Sequence, residues 1–293
     1  MLLEGLAVVA GVTTVAWFLL YLLRPALFPP EPSGLAQYLD FMDRAFLHLD
    51  FGRSGTTGRA VSTQMREGLP VDAALLAGGL VAGLLMGAAG GLVCALRPRS
   101  VTRRVIETLA TMAISTPVFV VGLELLLVFG ADIGSAGLGI GIPLGYTPFG
   151  QSPRAWLASM ITPWIVLGLP LAGLCVRTTA VGAAEVLAQD FVRAARARGV
   201  GSRRIALRHV APVALSPALA IASASAGLML MNMVLVERVF ALPGFLQLVT
   251  RSVGAADVPV LLALSATGAL FVVVVTTLLQ AVINRLDPRA RRP

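Results

Sequence analysis

The clearest chemical pattern in the sequence lies in residues 188–212, where six arginines and a single acid stand between two long apolar runs. Such a cluster has three explanations: it orients the chain in a membrane, it attracts anionic lipid, or it forms a docking surface for a partner. Residues 185–198 contain no glycine or proline, which predicts a helix. Asp190 near its start and arginines towards its end suit the helix macrodipole.

Gly199 is expected to end this helix as a left-handed cap, and Gly201 to lead into a second short helix that ends before Pro212. Small residues in the first helix would let it fit a groove of another protein. Lipid binding needs no small residues at these offsets, so the pattern favours docking. The residues assigned to this docking element are Gln189, Asp190, Arg193, Ala194, Ala195, Arg196, Arg198, Gly199 and Pro212.

Residue types that build catalytic and metal sites are scarce in this chain. All 23 basic residues are arginine, whereas a Walker A phosphate loop needs a lysine to reach the β- and γ-phosphates of ATP. Cys94 and Cys175 lie near the ends of apolar runs, where buried free thiols are expected. His48 and His209 fall outside those runs and complete no metal-binding spacing. We therefore expect neither a catalytic site nor a metal or cofactor in this chain.

The apolar runs place these residues in a membrane protein. Mean hydropathy is +0.85 and 13% of the residues are charged, against about a quarter in soluble domains. One crossing of the hydrocarbon layer needs roughly 20 apolar residues. Six runs meet that requirement, at residues 2–23, 73–96, 105–130, 156–176, 213–236 and 258–283. Glu4 stands where a signal peptide would have a basic residue, so the first run is interpreted as a retained anchor.

The distribution of arginine predicts which side of the membrane each loop faces. Residues 97–104, 177–212 and 284–293 hold 15 of the arginines, and the remaining eight are spread among acids in the segments on the other side. Because positively charged loops stay in the cytoplasm, both termini and the 188–212 segment are expected there.

Several patterns concern how the helices pack. Residues 33–52 have an apolar stripe at helical spacing, which predicts a helix lying along the outer interface or packing on the outer mouth. Glycines at positions 79, 83, 87 and 91 leave one face of the second span smooth, as expected for close helix packing. Pro117 in the third span, and Pro163 and Pro170 in the fourth, are expected to bend their helices.

The arginine-rich segment resembles the EAA loop of ABC-transporter permeases, whose pattern is E-A-A, three residues, G, nine residues and I-x-L-P. Here Arg193-Ala194-Ala195 is followed by Gly199 and by the tetrapeptide ending at Pro212, so Ala-Ala, Gly and Pro match while Glu, Ile and Leu are replaced. "QDFVRAARARGV" and "RHVAP" are closer to the variant in the dipeptide, oligopeptide and nickel permeases. The stretches "FGRSGTTGRAVSTQMREGLP", "ISTPVFVVGLELLLVFG", "VLVERVFALPGFLQLVTRSVGAADVPVL" and "LDPRAR" also resemble that family, in the same order.

The resemblance implies an all-α integral membrane protein with six transmembrane helices and the type I ABC importer permease fold. It implies a first anchor at residues 1–23, an extracytoplasmic segment at 24–70 and a permease core at 71–293, with the EAA-type loop at 177–212. The chain would form half of a translocation pore for di- or oligopeptides in the bacterial cytoplasmic membrane. A second homologous permease, two ATPase subunits that bind ATP and Mg, and an extracytoplasmic substrate-binding protein would be its partners, with membrane lipid but no nucleic acid. Residues 189–199 would be the coupling helix, which enters a cleft of the ATPase.

Three polar residues are candidates for the translocation path. Glu124 lies inside the third span, which makes it a candidate to line the pore. The alternatives are that it lies near the outer interface or that it pairs with a neighbouring subunit. Asn232 in the fifth span is more typical of an interhelical hydrogen bond than of a ligand contact. Glu237 matches an acid in the outer loop of the family, where it anchors that loop or contacts the binding protein.

Other kinds of membrane protein are weighed against this interpretation. An ion-gradient-driven secondary transporter or channel subunit is expected to carry ionisable groups in several spans, and only Glu124 qualifies. An intramembrane enzyme needs a nucleophile with a positioned base, or a metal pair, inside the spans. A purely structural scaffold subunit needs no catalytic group at all.

Overall fold

A computed structural model describes residues 2–28, 34–130, 141–206 and 210–286. Within these ranges the chain is helical, and the only β-type pairings are two isolated bridges, Arg53 with Ala60 and Gly130 with Ile142. The helices are α1 (Leu2–Leu23), α2 (Gly34–Leu47), α3 (Val61–Leu96), α4 (Val101–Ser115), α5 (Val118–Phe129), α6 (Pro153–Leu187), α7 (Asp190–Ala197), α8 (Ser202–Ile205), α9 (Ala211–Ala224), α10 (Ala226–Val239), α11 (Val249–Gly254) and α12 (Val258–Leu286). Short 3-10 turns occur at Pro25–Leu27 and Leu246–Leu248.

Four of the described helices are long and apolar enough to cross a membrane, namely α1, α3, α6 and α12. Two bent pairs, α4 with α5 and α9 with α10, pass the same test when each pair is taken together, which gives up to six crossings. The all-helical membrane architecture expected from the sequence is therefore confirmed.

The two bent pairs interrupt what the sequence presents as continuous apolar runs. The axes of α4 and α5 differ by 110°, and those of α9 and α10 by 62°. The first break follows from Pro117, because a residue before proline avoids the helical region and Thr116 is extended, with φ −91° and ψ 130°. The second break falls at Ser225, which has φ −87° and ψ −3°.

The prolines of the fourth span have a different outcome. Pro163 and Pro170 lie inside α6, which continues as a single helix of 35 residues. This helix packs against α4, α5, α9 and α10. Both prolines are therefore accommodated within a helix that has neighbours along much of its length, and neither ends it as Pro117 ends α4.

The glycines of α3 form the close contact that their spacing predicts. A methyl group at Gly87 would lie 2.3 Å from the Cβ of Cys175, and one at Gly91 would lie 2.5 Å from the Cβ of Thr179. Methyl groups at Gly79 and Gly83 would likewise come within 2.8 Å of α6 atoms. Real Cβ atoms do not approach so closely, so only glycine permits this packing of α3 on α6. Both cysteines are buried and free, as expected.

The contacts divide the chain into two compact units, residues 1–74 with 242–274, and residues 75–241 with 275–293. In the first unit Trp17 is buried within an aromatic group, stacked on Tyr21 at 5.0 Å between ring centroids and edge-on to Phe28 and Tyr38. The hydroxyl groups of Tyr38 and Thr14 are 2.8 Å apart and share a hydrogen bond. These contacts hold α2 against α1.

The helix expected within residues 33–52 is present as α2, but its buried face is narrower than the apolar stripe. Phe41 and Ala45 are buried, whereas Leu35 and Leu39 are 65% and 58% exposed. The stripe is thus only partly covered by this chain. Exposed leucines beside a buried face suit a helix that also contacts lipid or a partner.

Candidate functional site

The arginine-rich segment forms a short helix that leaves α6 almost at once. α6 ends at Leu187 and α7 begins at Asp190, so two residues connect them. Gln189 is the N-cap residue of α7, with extended backbone angles of φ −71° and ψ 152°. Its carbonyl accepts the backbone N–H groups of Val192 and Arg193, at 3.1 and 3.3 Å. A connection of two residues leaves α7 little freedom to change its orientation relative to α6.

The end of α7 is the left-handed cap that the sequence predicts. Gly199 has a φ of +78°, a conformation that residues with a Cβ adopt only at a cost. Its N–H donates to the Arg196 carbonyl at 2.9 Å, and the Val200 N–H donates to the Ala195 carbonyl at 3.1 Å. These two bonds make a Schellman motif, which satisfies carbonyls at the end of the helix.

One side chain anchors α7 to the rest of its unit. Val192 is fully buried, in an apolar cluster with Val186 of α6, Ile205 of α8 and Ala214 of α9. Ala195 and Val200 pack against the same cluster, which places the Schellman motif beside it. The inner face of α7 is therefore fixed to three other helices.

The rest of the surface of α7 is open and combines charge with one large, half-exposed apolar side chain. Phe191 is 47% exposed. Arg193 forms an exposed ion pair with Asp190, at 2.9 Å, and donates a longer bond to the Ala188 carbonyl, at 3.4 Å. This face offers an aromatic ring, small residues and positive charge to a partner.

The structure brings most of the predicted docking residues onto this open face. Those that are exposed are Gln189, Asp190, Arg193, Ala194, Arg196, Arg198 and Gly199. Ala195 is half-buried, and Pro212 is half-buried in the first turn of α9, between the buried residues Val210 and Ala214. Pro212 thus adjoins the anchoring cluster, while His209 lies outside the described residues. The docking role of all these residues stays a prediction.

Sequence reasoning overlooked Phe191 and Val192. Val192 is buried in the cluster, whereas Phe191, about 100° around the helix, is 47% exposed. The signal that could have found them is the helical spacing of Val192 and Ala195, since those two residues share the inner face. Phe191 stands four residues before Ala195 and so lies at the edge of this inner face, where it is half exposed.

A cavity of about 370 Å³ lies where the bent spans meet α6. Residues 114–118 at the α4–α5 break, four residues of α6, and Ser225, Leu228, Met229 and Asn232 at the α9–α10 break line it. Its described lining carries no charged side chain. Ser115, Thr116, Ser225 and Asn232 contribute hydrogen-bonding groups, and the remaining lining residues are apolar.

Of the three path candidates, only Asn232 is brought to this cavity. Glu124 is exposed on α5, on the side away from the buried Val118, Gly122 and Leu126, and is not among the described lining residues. Glu237 is fully buried in the last turn of α10. The three residues therefore do not form one site.

Two buried aspartates that the sequence reasoning did not single out hold loops of the first unit. Asp72 on α3 accepts the backbone N–H of Phe245 at 2.9 Å and that of Leu246 at 3.2 Å. Gly68, one turn earlier, lets this loop approach, because a methyl group there would lie 2.4 Å from the Phe245 nitrogen. Together these residues fix the segment that follows Pro243 and Gly244.

Asp257 fastens the loop at residues 54–56. Its carboxylate accepts the hydroxyl groups of Ser54, at 2.6 Å, and Thr56, at 2.8 Å, and also the backbone N–H groups of Gly55 and Thr56. Burial raises the pKa of Asp257, but these hydrogen bonds to the charged form outweigh burial and hold the pKa below its ordinary value of 3.8. The carboxylate stays ionised and satisfied.

Comparisons with known proteins agree with the architecture. Residues 79–292 match the model of the family described as "Binding-protein-dependent transport system inner membrane component". A protein of Brucella abortus strain 2308, provisionally named a peptide transport system permease protein, is 30% identical over 83% of this chain and 76% of its own length. The oligopeptide transport system permease protein OppB of Mycobacterium tuberculosis strain H37Rv is 31% identical over 88% of this chain and 80% of its own length.

The matched region includes the α3 glycines, both bent pairs, the cavity and α7. The four to six candidate crossings among the described helices agree with an inner membrane component. The chain belongs to the family of binding-protein-dependent transport system inner membrane components.

Proposed function

We propose that this chain is the permease subunit of an ATP-driven importer of peptides. In this proposal it crosses the bacterial inner membrane six times, with both termini in the cytoplasm, and pairs with a second permease to form the pore. Two ATPase subunits bind ATP and Mg on the cytoplasmic side, and an extracytoplasmic binding protein delivers the peptide. Relatives named as peptide or oligopeptide permeases support this substrate class.

The observation that carries the proposal is the anchoring of α7. Its inner face is fixed by Val192, its end is set by Gly199, and its outer face is left open. A helix held this way moves as a rigid body with α6, so a partner that binds the outer face can displace the span. We infer that an ATPase cleft grips α7 and that closure of the ATPases on ATP reorients the pore.

The uncharged cavity at the bent spans supports a peptide path. Its serine, threonine and asparagine groups can exchange hydrogen bonds with peptide N–H and C=O groups, which every peptide shares. A lining without fixed charge would not select for one side-chain charge. Selection among peptides then falls to the external binding protein.

Transport by the reconstituted complex tests the proposal. The chain should co-purify with an ATPase pair and a second permease, and vesicles holding that complex should take up labelled peptide only with ATP and the loaded binding protein. Gly199→Val should cut uptake about tenfold or more, because the left-handed conformation costs a residue with a Cβ roughly 1–2 kcal/mol and misplaces the end of α7. Ala195→Asp should do the same by placing a charge against the apolar cluster.

Gly201→Val is the matched control. Gly201 lies in the same connection, but it has no positive φ and nothing within 4 Å of an added methyl group, so uptake should stay near normal. All variants should reach the membrane in equal amounts. Equal loss of membrane protein in the Gly199 and Ala195 variants would point to a folding role, and uptake by the chain without any ATPase would overturn the proposal.

A further inference from the structure

A second cavity, of about 480 Å³, lies among the ends of three helices and is separate from the one at the bent spans. It is bounded by the end of α3, by residues 103–111 of α4 and by residues 176–184 of α6. One part of its wall is apolar, formed by small or aliphatic residues such as Ala95, Val181 and Ala184. The other part carries Arg103 and Arg177 together with Glu107 and Thr111. A cavity whose charged groups are two arginines and one glutamate suits an anionic ligand.

The two arginines differ in how they are compensated. Arg103 pairs with Glu107 at 2.8 Å, one turn along α4. Arg177 donates to the Thr111 hydroxyl at 2.9 Å, and among the described residues no carboxylate lies within ion-pair distance of it. The cavity therefore has a net positive charge, and Arg177 is the cation available to a ligand. Thr111 holds that guanidinium in place without neutralising it.

The cavity sits where apolar helix surface gives way to charge. The apolar run of α3 ends at Leu96 and is followed by Arg97 and Arg99, and the fourth apolar run ends at Val176, immediately before Arg177. Lipid headgroups occupy this depth, at the boundary between hydrocarbon and water. Basic pockets between helices at this level bind phosphate-bearing headgroups of anionic lipids.

We propose that this cavity binds one anionic phospholipid. The phosphodiester group bonds to Arg177 and Arg103, and the acyl chains leave the cavity past Val176, the lining residue that ends the fourth apolar run. The proposal requires only that the chain is a membrane protein. It rests neither on peptide transport nor on the docking of α7, so its failure would leave both untouched.

Native mass spectrometry of the full-length chain in detergent tests the site. Phosphatidylglycerol and phosphatidylcholine with identical acyl chains are titrated in turn, so that only the headgroup charge differs. We expect the first phosphatidylglycerol to bind about fivefold more tightly than phosphatidylcholine, the preference that roughly one basic side chain gives. Arg177→Gln should abolish this preference, and Arg103→Gln should reduce it.

Two control variants separate charge from structure. Thr111→Val removes the same hydrogen bond as Arg177→Gln but leaves the guanidinium, so it should keep most of the preference. Arg154→Gln changes an exposed arginine at the other end of α6 and should keep all of it. Equal binding of the two lipids by the unaltered chain would overturn the proposal, as would equal losses in the Arg177 and Arg154 variants. Saturation by millimolar inorganic phosphate with no preference for phosphatidylglycerol would assign the site to a small anion instead.

Discussion

Asp257 shows how a single carboxylate can hold together parts of the chain that are far apart in sequence. It accepts four hydrogen bonds from residues 54–56, some 200 positions earlier. Its side chain is nearly inaccessible, since the residue is 3% exposed. Buried hydrogen bonds to a charged group contribute more than neutral ones, because the charge has no water to replace them.

Asp257→Asn should therefore lower the free energy of unfolding by about 1.5–3 kcal/mol. The amide keeps the size of the side chain but loses the charge. Its NH₂ group is itself a donor and cannot accept the hydrogen bonds that residues 54–56 donate. Thermal unfolding of the purified chain in detergent, followed by tryptophan fluorescence, measures the change. Asp43→Asn is the control, because Asp43 is 57% exposed and its variant should unfold like the unaltered chain.

The difference in stability between the unaltered chain and Asp257→Asn should depend on pH. The pKa of Asp257 is lower in the folded chain than in the unfolded one, so the stabilisation is fully present above the ordinary value of 3.8. It is lost as pH falls through the lower folded-state pKa. The stability difference between the unaltered chain and Asp257→Asn should therefore shrink only in strong acid. A difference that stays constant throughout that range would contradict the role of the charged form.

The structural roles of some single residues can be predicted from the sequence, and those of others cannot. The cap at Gly199 is predictable, because a glycine after a run of helix formers is a local signal. Asp72 and Asp257 carry no comparable signal, since the backbone groups they accept lie more than 170 residues away. Only the folded structure brings a buried acid to its donors. In the sequence, Asp72 and Asp257 are indistinguishable from the polar residues that commonly flank a membrane span.

At the scale of helices, the fit of α3 against α6 depends on the missing side chains of the glycine face. Gly87→Ala should lower the free energy of unfolding by about 1–3 kcal/mol, because its methyl group would lie 2.3 Å from the Cβ of Cys175. Both backbones would have to separate to admit it. Thermal unfolding in detergent measures the cost.

Gly227→Ala is the matched control for this packing. Gly227 lies in α10, and an added methyl group there would meet nothing within 4 Å. Since alanine favours a helix over glycine by roughly 0.5–1 kcal/mol, this variant should be neutral or slightly more stable. If both alanine variants behaved alike, close packing of α3 on α6 would not be what the glycines provide.

Helix positions are predictable from the apolar runs, but helix breaks are only partly so. Pro117 does end α4, whereas α6 continues through Pro163 and Pro170, and the bends expected at those two residues stay a prediction. A proline removes one hydrogen bond, and the packing around it decides whether the helix stops. The break at Ser225 has no proline within it, and nothing in the run around it distinguishes that position.

At the scale of the whole molecule, the proposed orientation makes a prediction about accessibility. Gln151→Cys should react with a membrane-impermeant maleimide in intact cells, whereas Ala197→Cys should react only after the membrane is opened. Both positions are exposed, and the native Cys94 and Cys175 are buried and should contribute little labelling. Labelling of Ala197→Cys in intact cells would reverse the orientation inferred from the arginine counts.

Family membership was predictable from the sequence, because it depends on several ordered motifs that each span few residues. "DFVRAARARG" and "VLVERVFALPGF" lie in the region that matches the family model. The cavities were not predictable, since each is lined by residues from three separate segments. Their shape follows from the angles between helices, and those angles depend on side-chain packing across the whole unit.

The length of α6 has a further mechanical meaning. If the crossing ends at Val176, as the apolar run predicts, the residues from Arg177 to Leu187 extend the rod by roughly 16 Å at 1.5 Å per residue. That overhang would hold α7 beyond the layer of lipid headgroups, in bulk water. An ATPase subunit would then bind α7 without touching the bilayer. The rigid end of α6 would transmit the movement of that subunit to the helices inside the membrane.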